Sequence, residues 1–334
     1  MWILKVKNYA IFTPCMAEWE KFIDYLHFSS HEDLIQRFLF GDLKITLEDY
    51  IFRGVGIEEY DLIPSVLRKE QQKELQIKVF GKNATETYYQ RNPELESHQQ
   101  NLEFSMLFEF YSLCDLQGLS VPDCKLFTKT NRMLSNLKLF SNKMFSSTHP
   151  TEWLPEDMWE LAALAQHYGI PTRLLDWSRD LFTALFFASI SGLKERNFSQ
   201  EKNISLWAFN LGYIESIHLT NKTFPLKAFV PSYFSNQNLQ AQSGVLTLWS
   251  TLNNGTNSKL IVDRRPLNEQ LIDYFASNGQ KPFQYPFFYK ITLPHTELKP
   301  LLNVLDRLNY TESRSFPGYR GAAMRVLNQH YRKS

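Results

Sequence analysis

The stretch that decides the fold is Pro155-Glu-Asp-Met-Trp-Glu-Leu-Ala-Ala-Leu-Ala-Gln-His-Tyr-Gly-Ile-Pro-Thr-Arg-Leu-Leu-Asp-Trp-Ser-Arg-Asp-Leu-Phe-Thr-Ala-Leu-Phe-Phe-Ala-Ser189. Its first half opens on proline and places Glu156 and Asp157 in the first turn. Met158, Leu161, Ala162, Ala165 and Tyr168 recur at helical spacing up to a stop at Gly169. After Ile170-Pro171, the run Thr172 to Trp177 reads as a short strand. Ser178 is a good N-cap for the next segment and Asp180 suits its first turn. That segment is apolar nearly all round, which predicts a central helix covered on every side.

Outward from this core, Ile45 to Gly54 moves into β-formers and stops at glycine, as a buried strand opening into a loop should. Ile204 to Asn210, Lys259 to Asp263 and Phe287 to Leu293 read as further strands. A helix is predicted around Leu298 to Leu308, and a short terminal one after Pro317. Between about 70 and 150 the chain carries charge and helical periodicity, with Leu102, Met106, Phe110 and Leu113 on one stripe, and no legible chemistry. Trp19, Phe22, Ile23 and Leu26 predict helical cover over 16 to 47. The expected fold is α+β: a mixed, largely antiparallel sheet with a buried central helix and a helical insertion. The expected division is an N-terminal helical cover over 1–45 and one domain over 46–333, with the insertion at about 70–150.

At 334 residues the chain is long enough to bury a large core. With 36 Lys and Arg against 35 Asp and Glu, no global basic field draws it to nucleic acid, so any such contact needs a local patch. Aromatic residues make up 15% of the chain beside only 13 glycines, which excludes a low-complexity or disordered polymer. Cys15, Cys114 and Cys124 are odd in number and widely spaced, fitting neither a disulfide framework nor a zinc site. Lys5 and Lys7 interrupt the apolar start, and no run approaches the length of a membrane span. The expectation is a cytoplasmic protein without membrane contact.

The familiar nucleotide, zinc-protease and serine-hydrolase motifs are missing. What remains is density: His167, Tyr168, Thr172, Arg173, Asp176 and Ser178 fall within twelve residues bracketed by two apolar helices. Polar groups in such a setting must find partners or do chemistry. One reading makes Arg173 and Asp176 a satisfied buried pair, His167 a helix terminus and Ser178 a cap. The other makes the cluster a site. Arg53, at a strand end before Gly54, carries the same choice. It either pairs with an acid such as Glu58 or Asp61, or grips a phosphate or ribose, with Gly54 letting the ligand approach the backbone. His27 and His31 lie four apart but lack the further donors a metal site needs, so no metal is expected.

Phe52-Arg53-Gly54, Leu62-Ile-Pro-Ser65 with Arg68, Gln166-His-Tyr-Gly-Ile-Pro-Thr-Arg-Leu-Leu-Asp-Trp177 and Ala184-Leu-Phe-Phe-Ala188 resemble the FRG domain family of bacteria and phages. Gln240-Ala-Gln242-Ser-Gly244-Val-Leu-Thr and the late Phe316-Pro317 are similar to further family segments, so the likeness spans roughly 45 to 330. A weaker resemblance, to the ADP-ribosyltransferase fold, orders Arg53-Gly54, Ser178 and Gln242 along the chain.

That second resemblance implies chemistry on NAD, either transfer of ADP-ribose to a protein or nucleic-acid acceptor or hydrolysis of NAD, as in a toxin or an anti-phage effector. It implies that Arg53 grips phosphate or the adenine-side ribose and that Ser178 positions the nicotinamide ribose. Tyr168 or Trp177 would stack on a ring, His167 would donate a hydrogen bond, and Thr172 and Arg173 would complete the nucleotide site. Position 242 is Gln where such enzymes usually have Glu, and a neutral amide stabilises cationic charge poorly, which leaves Asp176 to supply a carboxylate. Two rivals stay open. One is a non-catalytic module that holds a nucleotide or phosphate through Arg53, Arg173 and Asp176. The other is a nucleic-acid-handling protein using Arg179, Lys194, Arg196, Arg264 and Arg265 among its aromatics.

Overall fold

A computed structural model describes residues 3–6, 9–12, 49–58, 62–82, 94–125, 127, 152–194, 202–232, 240–252, 260–278 and 288–332. The helical cover expected over 16–47, the His27 and His31 pair, Cys15 and Asp61 lie outside the described residues, as does 128–151.

The strands are β1 (Ile3–Val6), β2 (Tyr9–Phe12), β3 (Tyr50–Val55), β4 (Glu152–Trp153), β5 (Leu174–Ser178), β6 (Asn203–Asn210), β7 (Leu226–Phe229), β8 (Gly244–Trp249), β9 (Thr251–Leu252) and β10 (Phe288–Pro294). Eight of them form one sheet in the order β1-β2-β10-β6-β3-β5-β8-β7. Neighbours run antiparallel except β2 and β10, which are parallel. β4 and β9 pair separately. Among the described residues the α-helices are α1 (Lys69–Phe80), α2 (Glu96–Leu116), α3 (Trp159–His167), α4 (Leu181–Lys194), α5 (Leu211–Thr220), α6 (Leu267–Ser277), α7 (Leu298–Arg307), α8 (Glu312–Ser315) and α9 (Tyr319–Leu327). The fold is α+β with a mixed, largely antiparallel sheet, a buried central helix and helices in the 70–150 segment, as the sequence implies.

Strand periodicity sorts side chains onto the two faces of the sheet. Tyr50 and Phe52 of β3, with Leu206 and Ala208 of β6, meet α4, which is backed in turn by Leu298, Leu301, Leu302 and Leu305 of α7. Ile51, Trp177, Trp207, Phe209 and Val245 face the other way, onto Ile214 and Ile217 of α5 and Leu267, Leu271 and Phe275 of α6. α4 is therefore enclosed by sheet on one side and helix on the other, which is why its sequence lacks a polar face. A third cluster packs α2 and α3 over the β5 and β8 end of the sheet, through Phe104, Leu107, Leu161, Ala165, Leu174 and Leu248.

Two expectations are corrected. The segment 259–263 forms no strand in its described part; Ile261 makes one isolated bridge with Leu95, and Val262 is buried in a small cluster with Leu67, Leu102 and Met106. Only two β-formers stand there before Asp263 and Arg264, too short a run to hold a ladder. Ser178 is likewise not the cap of α4. It ends β5, and Asp180 caps instead, its Oδ1 accepting the backbone N–H of Phe182 at 2.9 Å and of Thr183 at 3.4 Å. A carboxylate gains from the helix dipole there, which a hydroxyl does not.

Gly54 marks the closest approach of sheet and helix. A Cβ at this position would lie 1.9 Å from the Ala184 carbonyl oxygen and 2.8 Å from the Ala188 Cβ. The expectation that Gly54 opens the backbone to a ligand is thereby corrected: its hydrogen side chain makes room for α4. Gly54→Ala is expected to destabilise the protein by about 1–3 kcal/mol or more through overpacking. Gly212→Ala in α5, where the nearest atom to an added Cβ is Asn210 Oδ1 at 3.5 Å, is expected to be neutral or stabilising by up to about 1 kcal/mol. Urea titration of both variants checks the contrast.

Candidate functional site where the sheet parts

β3 follows β6 through six residue pairs but meets β5 at one, Phe52 opposite Ser178. Beyond that pair the two strands separate. β5 is flanked there by the turn before α1, where Val66 N–H donates to the Thr172 carbonyl at 3.3 Å and Ser65 Oγ lies 3.3 Å from the same oxygen. Arg53 is the next residue of β3, and its guanidinium enters the opening. Its Nη1 donates to the Asp176 backbone carbonyl at 2.6 Å and stands 3.8 Å from the Asp176 carboxylate. Residues 123 positions apart therefore converge, as the sequence reading required. Glu58, the sequence alternative for Arg53, is engaged instead by Asn203 and Lys290.

Asp176 projects from β5 with 66% of its side chain exposed, against 22% for Arg53. One carboxylate oxygen is held: Gln166 Nε2, from the last turn of α3, donates to Oδ1 at 2.6 Å. Gln166 is oriented in turn by the Thr172 hydroxyl, which donates to its Oε1. The Thr172 hydroxyl also accepts from Leu174 N–H at 3.2 Å, and Thr172 N–H donates to Ser65 Oγ at 3.2 Å. The path Ser65, Thr172, Gln166, Asp176 thus fixes one exposed carboxylate beside one guanidinium. Burial lowers the basicity of Arg53, Asp176 opposes that shift, and the nearby charge of Arg68 adds to it. Two guanidinium groups held within electrostatic reach of each other favour an anion between them.

His167 and Tyr168 close α3 beside this carboxylate, their rings edge to face at 5.1 Å, with Tyr168 69% exposed. Burial lowers the His167 pKa, the positive charge of Arg320 on α9 lowers it further, and Asp176 opposes them. His167 is accordingly neutral at pH 7. Because the unfolded chain holds His near 6.5, stability rises with pH across the window between the lowered folded value and 6.5, and falls as pH drops through it. Arg320→Gln is expected to move the His167 pKa upward toward 6.5, read from the imidazole proton shifts in an NMR titration; a value that stays put or falls would contradict the assignment of Arg320 as a neighbouring charge.

Four sequence candidates are directed elsewhere. Arg173 is buried and does not pair with Asp176; its Nε and Nη2 donate to Glu103 at 2.7 Å and its Nη2 to Glu96 at 3.0 Å. The helical segment in which no chemistry was legible thus supplies the partners of a buried cation, whose guanidinium is held firmly protonated by the two carboxylates against the cost of burial. Trp177 is buried on the opposite face, donating Nε1–H to the Thr247 hydroxyl at 2.8 Å, and presents no ring to the opening. The Ser178 hydroxyl donates to the Gln242 carbonyl at 2.7 Å and accepts from Asp180 N–H at 2.9 Å, so it ties β5 to the approach of β8. The Gln242 amide donates to the Ser315 carbonyl at 3.0 Å, in α8.

The structure brings together Arg53, Asp176, Thr172, His167 and Tyr168, and adds Gln166, Arg68 and Arg320, which were not chosen as site residues from sequence. Gln166 and Arg68 lay inside quoted motifs; Arg320 had no local signal. Among the residues considered for nucleic-acid contact, Arg264 is buried against Glu94, Gln99 and the Leu67 carbonyl, and Arg265 is paired with Asp263 and Asp273. Arg196 lies outside the described residues. Among the described residues no group of three or more His, Cys, Asp or Glu is arranged to hold a metal ion, and no helix is long and apolar enough to cross a membrane.

A chain whose β3 carries Phe-Arg-Gly, with the glycine under a helix and the arginine bonded to the neighbouring strand β5, matches a known domain class. The family model described as FRG domain matches residues 48–197, and the chain carries an FRG domain there. That match takes in Arg53, Gln166, Asp176 and α4, and stops before Gln242 and Phe316. No curated protein and no solved structure matches the chain.

Proposed function

We propose that this FRG-domain protein is an enzyme acting on NAD, transferring ADP-ribose to a macromolecule or hydrolysing NAD. The single observation that carries the reading is the parting of β3 and β5 with Arg53 on one bank and the exposed, Gln166-braced Asp176 carboxylate on the other. A pyrophosphate entering the opening would take the Arg53 guanidinium from the neutral Asp176 carbonyl, exchanging it for a charge-assisted and potentially bidentate bond. Arg68 adds positive charge at the same mouth. Tyr168 offers an exposed ring on which a planar base can stack.

Cleavage breaks the bond between ribose C1″ and the nicotinamide nitrogen. The bonding electron pair stays with that nitrogen, neutralising the pyridinium, and positive charge spreads over C1″ and the ring oxygen. The Asp176 carboxylate is the group in this reading that stabilises that charge and holds a ribose hydroxyl. Gln242, whose amide is bonded to Ser315, is not assigned that work. The oxygen or nitrogen of water or of a macromolecular acceptor then bonds to C1″, and its proton passes to neutral His167 or to Asp176. An enzyme that depletes NAD or marks a macromolecule in this way fits a toxin or an anti-phage effector. Incubation of the purified protein with labelled NAD, with and without cell extract, tests the reading. Nicotinamide release or label transfer is expected; the lack of both would remove it.

A further inference from the structure

A second concavity lies away from the β3 and β5 opening, along the edge strand β7. It has a volume of about 370 Å³, within the range of about 300–1,000 Å³ of small-molecule sites. Trp159 of α3 and Phe229 of β7 stack at 4.9 Å, 29° apart, and form one wall. Ile214 and Val245, both buried, make an apolar floor. Three charged side chains reach the rim: Arg179, Lys227 and Glu215.

Arg179 is exposed, and its side chain has no ion-pair or hydrogen-bond partner among the described residues; only its backbone N–H is used, donating to the Ser243 carbonyl at 3.0 Å. Lys227 stands 3.9 Å from Glu152 and donates to the Lys222 carbonyl at 3.5 Å, both long contacts. With Lys227 paired to Glu152, Arg179 is the rim cation left without a side-chain partner among the described residues, with Glu215 on the same rim and an aromatic and apolar surface beside it. A small hydrated anion would gain nothing from that apolar floor and would lose water against it, whereas a ligand joining a planar body to an anionic end satisfies both. Glu215 in turn provides an acceptor for sugar hydroxyls or a base amino group.

The geometry points to this concavity as a binding site for a mononucleotide, its phosphate held by Arg179 and Lys227 and its base or ribose lying against the Trp159 and Phe229 wall. The site is built from α3, α5, β7, β8 and the turn after β5, and shares no residue with the NAD reading, on which it does not rest. Bases on aromatic rings contribute sequence-tolerant stacking, so the four common ribonucleoside monophosphates should all bind, purines more tightly.

Calorimetric titration of the purified protein with AMP, GMP, CMP and UMP tests it, using wild type, Arg179→Ala, Lys227→Ala and Arg53→Ala. Saturable binding is expected, weakened at least about tenfold by Arg179→Ala and by Lys227→Ala and kept in Arg53→Ala. Arg179 is exposed whereas the Lys227 side chain is only 16% exposed, so a melting curve on each variant separates loss of binding from loss of fold. Absence of saturable binding to millimolar concentration would overturn the inference. So would binding that Arg53→Ala abolishes and the rim variants leave unchanged, because the nucleotide would then occupy the β3 and β5 opening. Failure of NAD cleavage in wild type, with nucleotide binding retained, would remove the catalytic reading and leave this site standing.

Discussion

Asp176→Ala and Arg53→Ala are each expected to reduce nicotinamide release from NAD by at least about 10²-fold, the usual scale for removing one preorganised electrostatic contact to a transition state. The two losses should differ in kind. Asp176 is offered as the group facing the developing cation, so its removal should lower kcat with KM little changed. Arg53 grips phosphate in substrate and transition state alike and should raise KM as well. The double variant should fall short of the product of the two, since both groups act on one bound substrate and Arg53 also touches the Asp176 backbone. With 66% of its side chain exposed, and its carboxylate bonded to Gln166 and 3.8 Å from Arg53, Asp176 can be replaced at little cost to folding. Circular dichroism and a melting curve on each variant separate chemistry from collapse. Variants that retain full activity would place the reacting centre elsewhere.

The largest expected loss of stability belongs to a residue of the same motif that takes no part in the opening. Arg173→Ala removes the cation that pairs with Glu96 and Glu103, both buried, and leaves the two carboxylates without a counter-charge among the described residues. Breaking such a buried arrangement from one side costs about 3–5 kcal/mol. Glu103 would keep the Trp153 indole N–H at 2.8 Å, and Glu96 the Thr251 hydroxyl at 2.8 Å, but neither neutralises a charge.

The pH dependence follows from the same contacts. Burial raises the Glu96 pKa, but Arg173 together with the hydroxyl and amide donors outweighs it and holds the carboxyl below its ordinary value. In wild type that contribution is present above the unfolded value and is lost as pH falls through the folded one. In Arg173→Ala burial is no longer outweighed, the folded pKa rises, and the penalty of the buried charge shrinks as pH falls. Denaturant titrations at pH 8 and pH 5 should therefore show a smaller deficit for Arg173→Ala at pH 5. An equal or larger deficit at pH 5 would contradict the assignment. Replacing Arg173, Glu96 and Glu103 together by apolar residues of similar volume should restore much of the loss, because no charge then remains buried.

Arg173 also shows where sequence reading stops. Apolar periodicity identified α3, α4 and α7, and β-formers identified β3, β5, β6 and β10, because those signals are local and each element buries one stripe or one face. The α+β class followed from the elements so assigned. Partner choice did not. Arg173 and Asp176 lie three positions apart, and a pair between them was a reasonable expectation. Arg173 stands just before β5 and turns away from Asp176, and the acids that meet it come from α2, 70 and 77 residues away. Trp177 was drawn as a stacking ring for the same reason, since its parity with Leu175 sends it into the core beneath α5 and α6. Gly54 could be flagged as needed by the fold, but its purpose emerges only when α4 is laid across it. Motif order linked Arg53 to Ser178 and Gln242, and only the structure shows that Asp176 is the residue Arg53 meets, while Arg320 reaches His167 from a helix whose local pattern gives no hint of it.

The most direct measurement is a crystal structure of the Asp176→Asn variant soaked or grown with NAD. The dinucleotide is expected between β3 and β5, with the Arg53 guanidinium moved from the residue 176 carbonyl onto a pyrophosphate oxygen at about 2.7–2.9 Å, and the nicotinamide ribose facing residue 176. NAD bound away from that opening, or an Arg53 still bonded to the residue 176 carbonyl beside bound NAD, would contradict it.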